Sequence, residues 1–179
     1  MDAVELLDGD GLFVIDTSAW WRIPDLPIEL ARLVQQATAD DRMLITPIVR
    51  MEILYSARSA AEYARLDARL SFLRMLRNDR AAADAAMGAI SELAERGDGY
   101  HRVSLTDALI AAAAADVGGL AVLHRDGHFD RLAEVLVFES VALPVPWKRP
   151  ANCGQNRSAM CTAPDKTVQF AVQNRSNRP

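Results

Sequence analysis

The chain has 179 residues, half of them hydrophobic and a quarter charged, enough for one domain of ordinary size with a real core. Its longest apolar run, Ala108 to Ala115, falls far short of the roughly 18 residues of a membrane span, which excludes a transmembrane protein. The net charge of −4 excludes a domain that coats nucleic acid through a basic surface. The charge is uneven: Arg157, Lys166, Arg175 and Arg178 against Asp165 give residues 151–179 a balance of +3, so the rest carries −7. The start, Met1-Asp2-Ala3-Val4-Glu5, lacks the basic opening of a secretory signal, and the expected location is the cytoplasm. Both cysteines, Cys153 and Cys161, lie near the C-terminus. They supply neither a disulfide framework nor the four spaced ligands of a structural zinc site.

Along the chain, Leu12-Phe13-Val14-Ile15 reads as a short strand buried on both faces, because four apolar residues follow one another without alternation. Asp16 follows directly, with Thr17 and Ser18 beside it. Residues 28–38 carry apolar side chains at 30, 33, 34 and 37, a helical period. Met43-Leu44-Ile45 forms a second strand. Thr46 then caps a helix that opens on Pro47 and runs to Tyr55, since Thr accepts the first free amides and Pro lacks an N–H to lose. Helices are predicted over 60–77, over 80–96 up to Gly97, and from Ser104 to Val117 before Gly118-Gly119. Leu120-Ala121-Val122-Leu123 leads to His124, Arg125 and Asp126 as another strand. A short helix over 129–134 and a last strand over 135–138 close the pattern. Strands alternating with helices mean a short parallel sheet flanked by helices, an α/β fold. Prolines at 144, 146 and 150, followed by a polar segment without apolar period, divide the chain into a domain over 1–147 and a disordered tail over 148–179, with an edge strand possible at 167–172.

Four acids carry the chemistry. Asp16 and Asp126 end strands, where open parallel sheets bind ligands, although each also fits a turn or a helix cap. Glu52 lies in the second turn of its helix, too deep for a cap and between apolar neighbours, or else pairs with Arg50 or Arg58 at the surface. Asp107, three residues after Ser104, has the spacing of a capping box. Asp130 is a further ligand or a helix-surface acid.

Taken together, Val14-Ile15-Asp16-Thr17-Ser18, Met51-Glu52-Ile53-Leu54, Thr106-Asp107-Ala108-Leu109-Ile110 and the run from Leu123 to Ala133 resemble the PIN-domain ribonucleases, and within them the VapC toxins of bacterial toxin–antitoxin pairs. The resemblance spans residues 12–140 and implies a PIN-like three-layer fold. One position departs from it: His128 stands where the family often has a second acid, two residues after Asp126. That departure bears on a second metal position, with His128 a ligand, a phosphate donor or a solvent-facing residue.

Clustered carboxylates repel one another, and a hard divalent cation relieves that repulsion. The resemblance therefore implies Mg²⁺, with Mn²⁺ a substitute, held by Asp16, Glu52, Asp107 and Asp126 as catalytic and metal-binding residues. Thr17, Ser18 and Thr106 would orient these acids, and Arg125 and Arg22 would steady phosphate. No Ser, Cys or Thr stands beside a His base, so water attacks phosphorus directly. The same resemblance implies an RNA substrate, a small antitoxin that covers the acidic groove, a homodimer and no membrane. Trp20 and Trp21 are either contact residues or packed on the first helix. A receiver- or phosphatase-type phosphoryl-transfer domain is disfavoured, because it needs paired acids after the first strand and a later lysine, whereas the first lysine of the chain is Lys148, after the last strand. The remaining alternative is a non-catalytic PIN-like module that binds RNA or protein.

Overall fold

A computed structural model describes residues 1–144. The expected tail, its edge strand, both cysteines and the boundary at 147 lie outside the described residues.

Five strands form one parallel sheet, in the order β3-β2-β1-β4-β5. β1 spans Phe13–Ile15, β2 Met43–Ile45, β3 Arg74–Met75, β4 Ala121–His124 and β5 Glu139–Ala142. β1 lies at the centre, with Phe13 opposite both Met43 and Ala121, and Val14 opposite both Leu44 and Val122. Every residue of β1, β2 and β4 is buried. Successive strand residues point to opposite faces, so both faces of the sheet are covered and the architecture has three layers.

The covering helices are α1 (Ala3–Asp8), α2 (Thr17–Trp20), α3 (Ile28–Ala39), α4 (Pro47–Tyr55), α5 (Ala60–Leu70), α6 (Arg80–Glu95), α7 (Leu105–Asp116) and α8 (His128–Leu132). Thr46 caps α4 through Val49 N, with Pro47 at the first position, as its sequence predicts. α7 buries Ala108, Ile110, Ala111, Ala112, Ala113 and Ala114 and packs on α6, which presents Ala82, Ala86 and Ala89. Small side chains let these two helices approach closely, and a helix apolar on nearly every side belongs inside. After α7, Gly118 and Gly119 both take positive φ. A Cβ on Gly119 would stand 3.1 Å from the Val137 carbonyl oxygen, so that turn needs glycine.

Two predicted elements are corrected and one is added. The helix expected over 60–77 ends at Leu70, and the chain turns into β3 before the buried Leu76. Its apolar spacing continues across the break because Leu73 and Leu76, on either side of the strand, also face the core. The last strand is Glu139–Ala142 rather than 135–138, which forms turns. Hydrophobic content pointed to Val135-Leu136-Val137-Phe138, but pairing with β4 selects the more polar segment beyond it. Helix α1, which was not anticipated, is closed by a capping box between Asp2 and Glu5.

Arg42, just before β2, is 8 % exposed. Its guanidinium donates to the carbonyl of Leu7 at 2.6 Å and to those of Leu6 and Gly11 at 3.4 Å. It thus satisfies the last carbonyls of α1, which have no partners within the helix. Arg42→Ala is expected to cost about 2–3 kcal/mol in urea unfolding, because buried carbonyls lose a charged donor.

Candidate functional site

β1 and β4 are neighbours, yet the chain leaves them toward different sides of the sheet, β1 toward β2 and β4 toward β5. Such a switch point opens a crevice beyond the carboxyl ends of the strands. Asp16 follows β1 and Asp126 lies two residues past the end of β4. Glu52 arrives on α4 after β2, and Asp107 on the first turn of α7.

Each acid is held by specific contacts. Asp16 is 3 % exposed and caps α2, accepting from the backbone N–H of Ser18 at 2.8 Å and from the Ser18 hydroxyl. The same hydroxyl accepts from the backbone N–H of Arg125 at 2.8 Å, which ties the end of β1 to the end of β4. Thr17 donates to Glu52 Oε2 at 2.6 Å. Two of the three expected orienting hydroxyls therefore touch acids, while Thr106 pairs with Ser104 Oγ instead.

Asp107 forms half of the predicted cap: its N–H donates to Ser104 Oγ at 3.3 Å. Its carboxylate does not return to the Ser104 amide. Asp107 Oδ2 lies 2.9 Å from His128 Nδ1, and the Ser104 N–H points at that same nitrogen, 3.3 Å away. Asp126 Oδ1 accepts from the His128 N–H at 3.0 Å and lies 3.3 Å from His128 Nδ1.

The electrostatics match this crowding. Burial raises the Asp16 carboxyl, and the Glu52 charge adds to it against the bonds from Ser18. Burial pushes the Asp107 carboxyl up to about 6, with the charges of Asp16 and Asp126 raising it and the His128 hydrogen bond opposing. Asp107, Asp126 and His128 place ligand atoms within 4.8 Å of one another, the one such group among the described residues. Asp16 is in electrostatic contact with Asp107, and Glu52 with Asp16, but neither belongs to that group. Two crowded carboxylates that repel one another, with an imidazole nitrogen beside them, fit a divalent cation.

Of the three roles open to His128, its Nδ1 beside Asp107 and Asp126 favours that of a ligand, and its departure from the family pattern is the signal. His124 went unnoticed. It ends β4 at 1 % exposure, with its pKa lowered by burial. Its Nδ1 accepts from the Asp126 N–H at 3.1 Å, so Nε2 carries the proton and meets Ser140 Oγ at 2.7 Å. Ser140 in turn donates to Asp130 at 2.7 Å. A neutral, buried histidine thus supports the Asp126 turn from below, and Asp130, largely exposed, anchors that chain. A polar residue at the end of an otherwise apolar strand was the available clue.

The expected phosphate-steadying arginines are engaged in the protein. Arg125 donates to the Leu143 carbonyl at 3.0 Å, and Arg22 lies 3.9 Å from Asp25. Trp20 is buried, with the Arg69 guanidinium 5.8 Å from its ring centroid, so it packs rather than contacts a ligand. Trp21 is exposed.

Residues 13–135 match the family model described as PIN domain. Ribonuclease VapC18 of Mycobacterium tuberculosis is 37 % identical over 125 residues, covering 69 % of this chain and 89 % of that protein. Ribonuclease VapC51 of the same organism is 31 % identical over 139 residues, covering 78 % and 94 %. Among solved structures, DNA-bound VapBC from Salmonella typhimurium superposes with a TM-score of 0.59 at 26 % identity, over 74 % of this chain and 98 % of that one. VapBC-5, a toxin–antitoxin system from Mycobacterium tuberculosis, superposes with a TM-score of 0.53 at 26 % identity, over 74 % and 99 %. Among the described residues, no helix is long and apolar enough to cross a membrane.

Proposed function

This chain belongs to the PIN-domain family, and on that premise we propose that it is a cytoplasmic, metal-dependent endoribonuclease, the toxin of a toxin–antitoxin pair. The observation that carries the chemistry is the convergence of Asp107 and Asp126 at the switch point, beside the buried Asp16. The antitoxin reading draws on the two-protein VapBC assemblies that this fold superposes on. RNA is the substrate, Mg²⁺ or Mn²⁺ the cofactor and a homodimer the assembled form.

Asp16, Glu52, Asp107 and Asp126 hold the cation, directly or through water. When bound, the cation offsets the carboxylate repulsion and stabilises the negative charge that develops at phosphorus. Ser18 and Thr17 hold Asp16 and Glu52 in their orientations. This prepaid positioning lets the carboxylates act without rearranging. The Arg125 amide, fixed by Ser18, keeps the Asp126 turn against β1.

Cleavage of RNA with Mg²⁺, repeated with EDTA and with Asp16→Asn, tests the reading. Cleavage lost in both cases is expected. Binding of RNA without cleavage, indifferent to metal, would instead establish the non-catalytic module.

A pH dependence follows from Asp107. Its folded value of about 6 lies above the ordinary 3.8, so the protonated form is favoured by folding. The metal-free protein keeps this contribution below about pH 4 and loses it as pH rises through about 6, on the order of 3 kcal/mol by pH 7.5. A cation competes with that proton. The gain in Tm on adding metal should therefore be larger at pH 7.5 than at pH 5 in differential scanning fluorimetry. Equal gains at both values would remove Asp107 from the ligand set.

A further inference from the structure

Resting on the metal-dependent reading above, we infer that His128 binds the same cation through Nδ1, making a mixed oxygen–nitrogen site that prefers Mn²⁺ to Mg²⁺. Spacing is the first argument. His128 Nδ1 lies 2.9 Å from Asp107 Oδ2 and 3.3 Å from Asp126 Oδ1. Adjacent ligands of an octahedral ion with bonds of roughly 2.1 Å stand about 3.0 Å apart. Both nitrogen-to-oxygen separations are near those of ligands sharing one ion, and the three groups place ligand atoms within 4.8 Å of one another.

Convergence on one nitrogen is the second argument. The Ser104 N–H and the carboxylates of Asp107 and Asp126 all face Nδ1, at 3.3, 2.9 and 3.3 Å. A proton on Nδ1 serves one carboxylate at a time, whereas a cation beside Nδ1 serves both together with the nitrogen. The third argument is rigidity. His128 opens α8, its own N–H is bound to Asp126, and the next residue, Phe129, is fully buried. The backbone that carries the ring is thus fixed beside both acids.

The choice of ion follows from donor chemistry. Mg²⁺ favours an all-oxygen shell and gives up its waters reluctantly, whereas imidazole nitrogen suits the transition metals. Mn²⁺ accepts both carboxylate oxygen and imidazole nitrogen.

Pulsed electron paramagnetic resonance of the Mn²⁺-loaded protein, with calorimetric titration of Mn²⁺ and Mg²⁺, tests the inference without an activity assay. The wild type should show hyperfine coupling to a bound ¹⁴N and bind Mn²⁺ at least about tenfold more tightly than Mg²⁺. In His128→Asp the coupling should vanish and the preference should fall by about tenfold, with the fold verified by circular dichroism. Mn²⁺ bound by the wild type without nitrogen coupling, or an ion preference unchanged in His128→Asp, overturns the nitrogen ligand while leaving the nuclease reading intact. Failure of the wild type to bind either ion overturns both.

Discussion

Asp107→Asn is expected to lower RNA cleavage by about a thousandfold or more while leaving the protein as stable as the parent, or more stable, at pH 7.5. The two effects share one cause. Asp107 is a buried carboxylate whose charge is opposed by burial and by its neighbours Asp16 and Asp126. Asn keeps the shape and the capping amide toward Ser104 but removes the charge. The repulsion disappears, and up to about 3 kcal/mol of destabilisation at neutral pH goes with it. Without that charge the cation is held poorly, and a thousandfold loss corresponds to about 4 kcal/mol of transition-state stabilisation. Cleavage kinetics and thermal melting of the same preparation read both effects. Lost activity accompanied by lost stability would mean that Asp107 is a structural cap, with its carboxylate serving the fold.

Phe129→Ala is expected to destabilise the protein by about 3–5 kcal/mol, a large share of the roughly 5–15 kcal/mol that holds a domain together. Phe129 is fully buried. Its ring stands 4.9 Å from that of His124 and meets Phe138 edge-on at 6.5 Å. Truncation leaves a cavity beside His124, which supports the Asp126 turn. Metal affinity should fall with stability, and Phe129→Leu, which fills most of the space, should restore much of both. Urea unfolding and metal titration provide the measurements. A destabilised variant with unchanged metal affinity would show that the site does not depend on this packing.

How far the residues announce the fold depends on how local the signal is. Phe13-Val14-Ile15 and Met43-Leu44-Ile45 identify themselves as buried strands, and Thr46-Pro47 and Ser104 as helix starts, because the decisive contacts lie within a few residues. β3 and β5 do not, since Arg74–Met75 is exposed and Glu139–Ala142 is half polar. Their strand character comes from the neighbours they pair with. Trp20 illustrates the same limit: an aromatic beside a turn fits either surface or core, and the packing around it settles the matter.

The site divides along the same line. The chain alone marks Asp16, Asp107 and Asp126 as candidates, because carboxylates at strand ends and on a first helical turn are conspicuous against an apolar background, while Glu52 joins them through the family resemblance. It also marks His128 as unusual. What the chain alone leaves open is which of these groups meet. Asp107 abandons the reciprocal half of its cap and turns to His128, and His124 is drawn under Asp126 through Ser140 and Asp130. These pairings join residues up to 21 positions apart through the sheet order and the seating of α7 and α8. Their energies depend on burial and distance, and neither exists until the chain has folded.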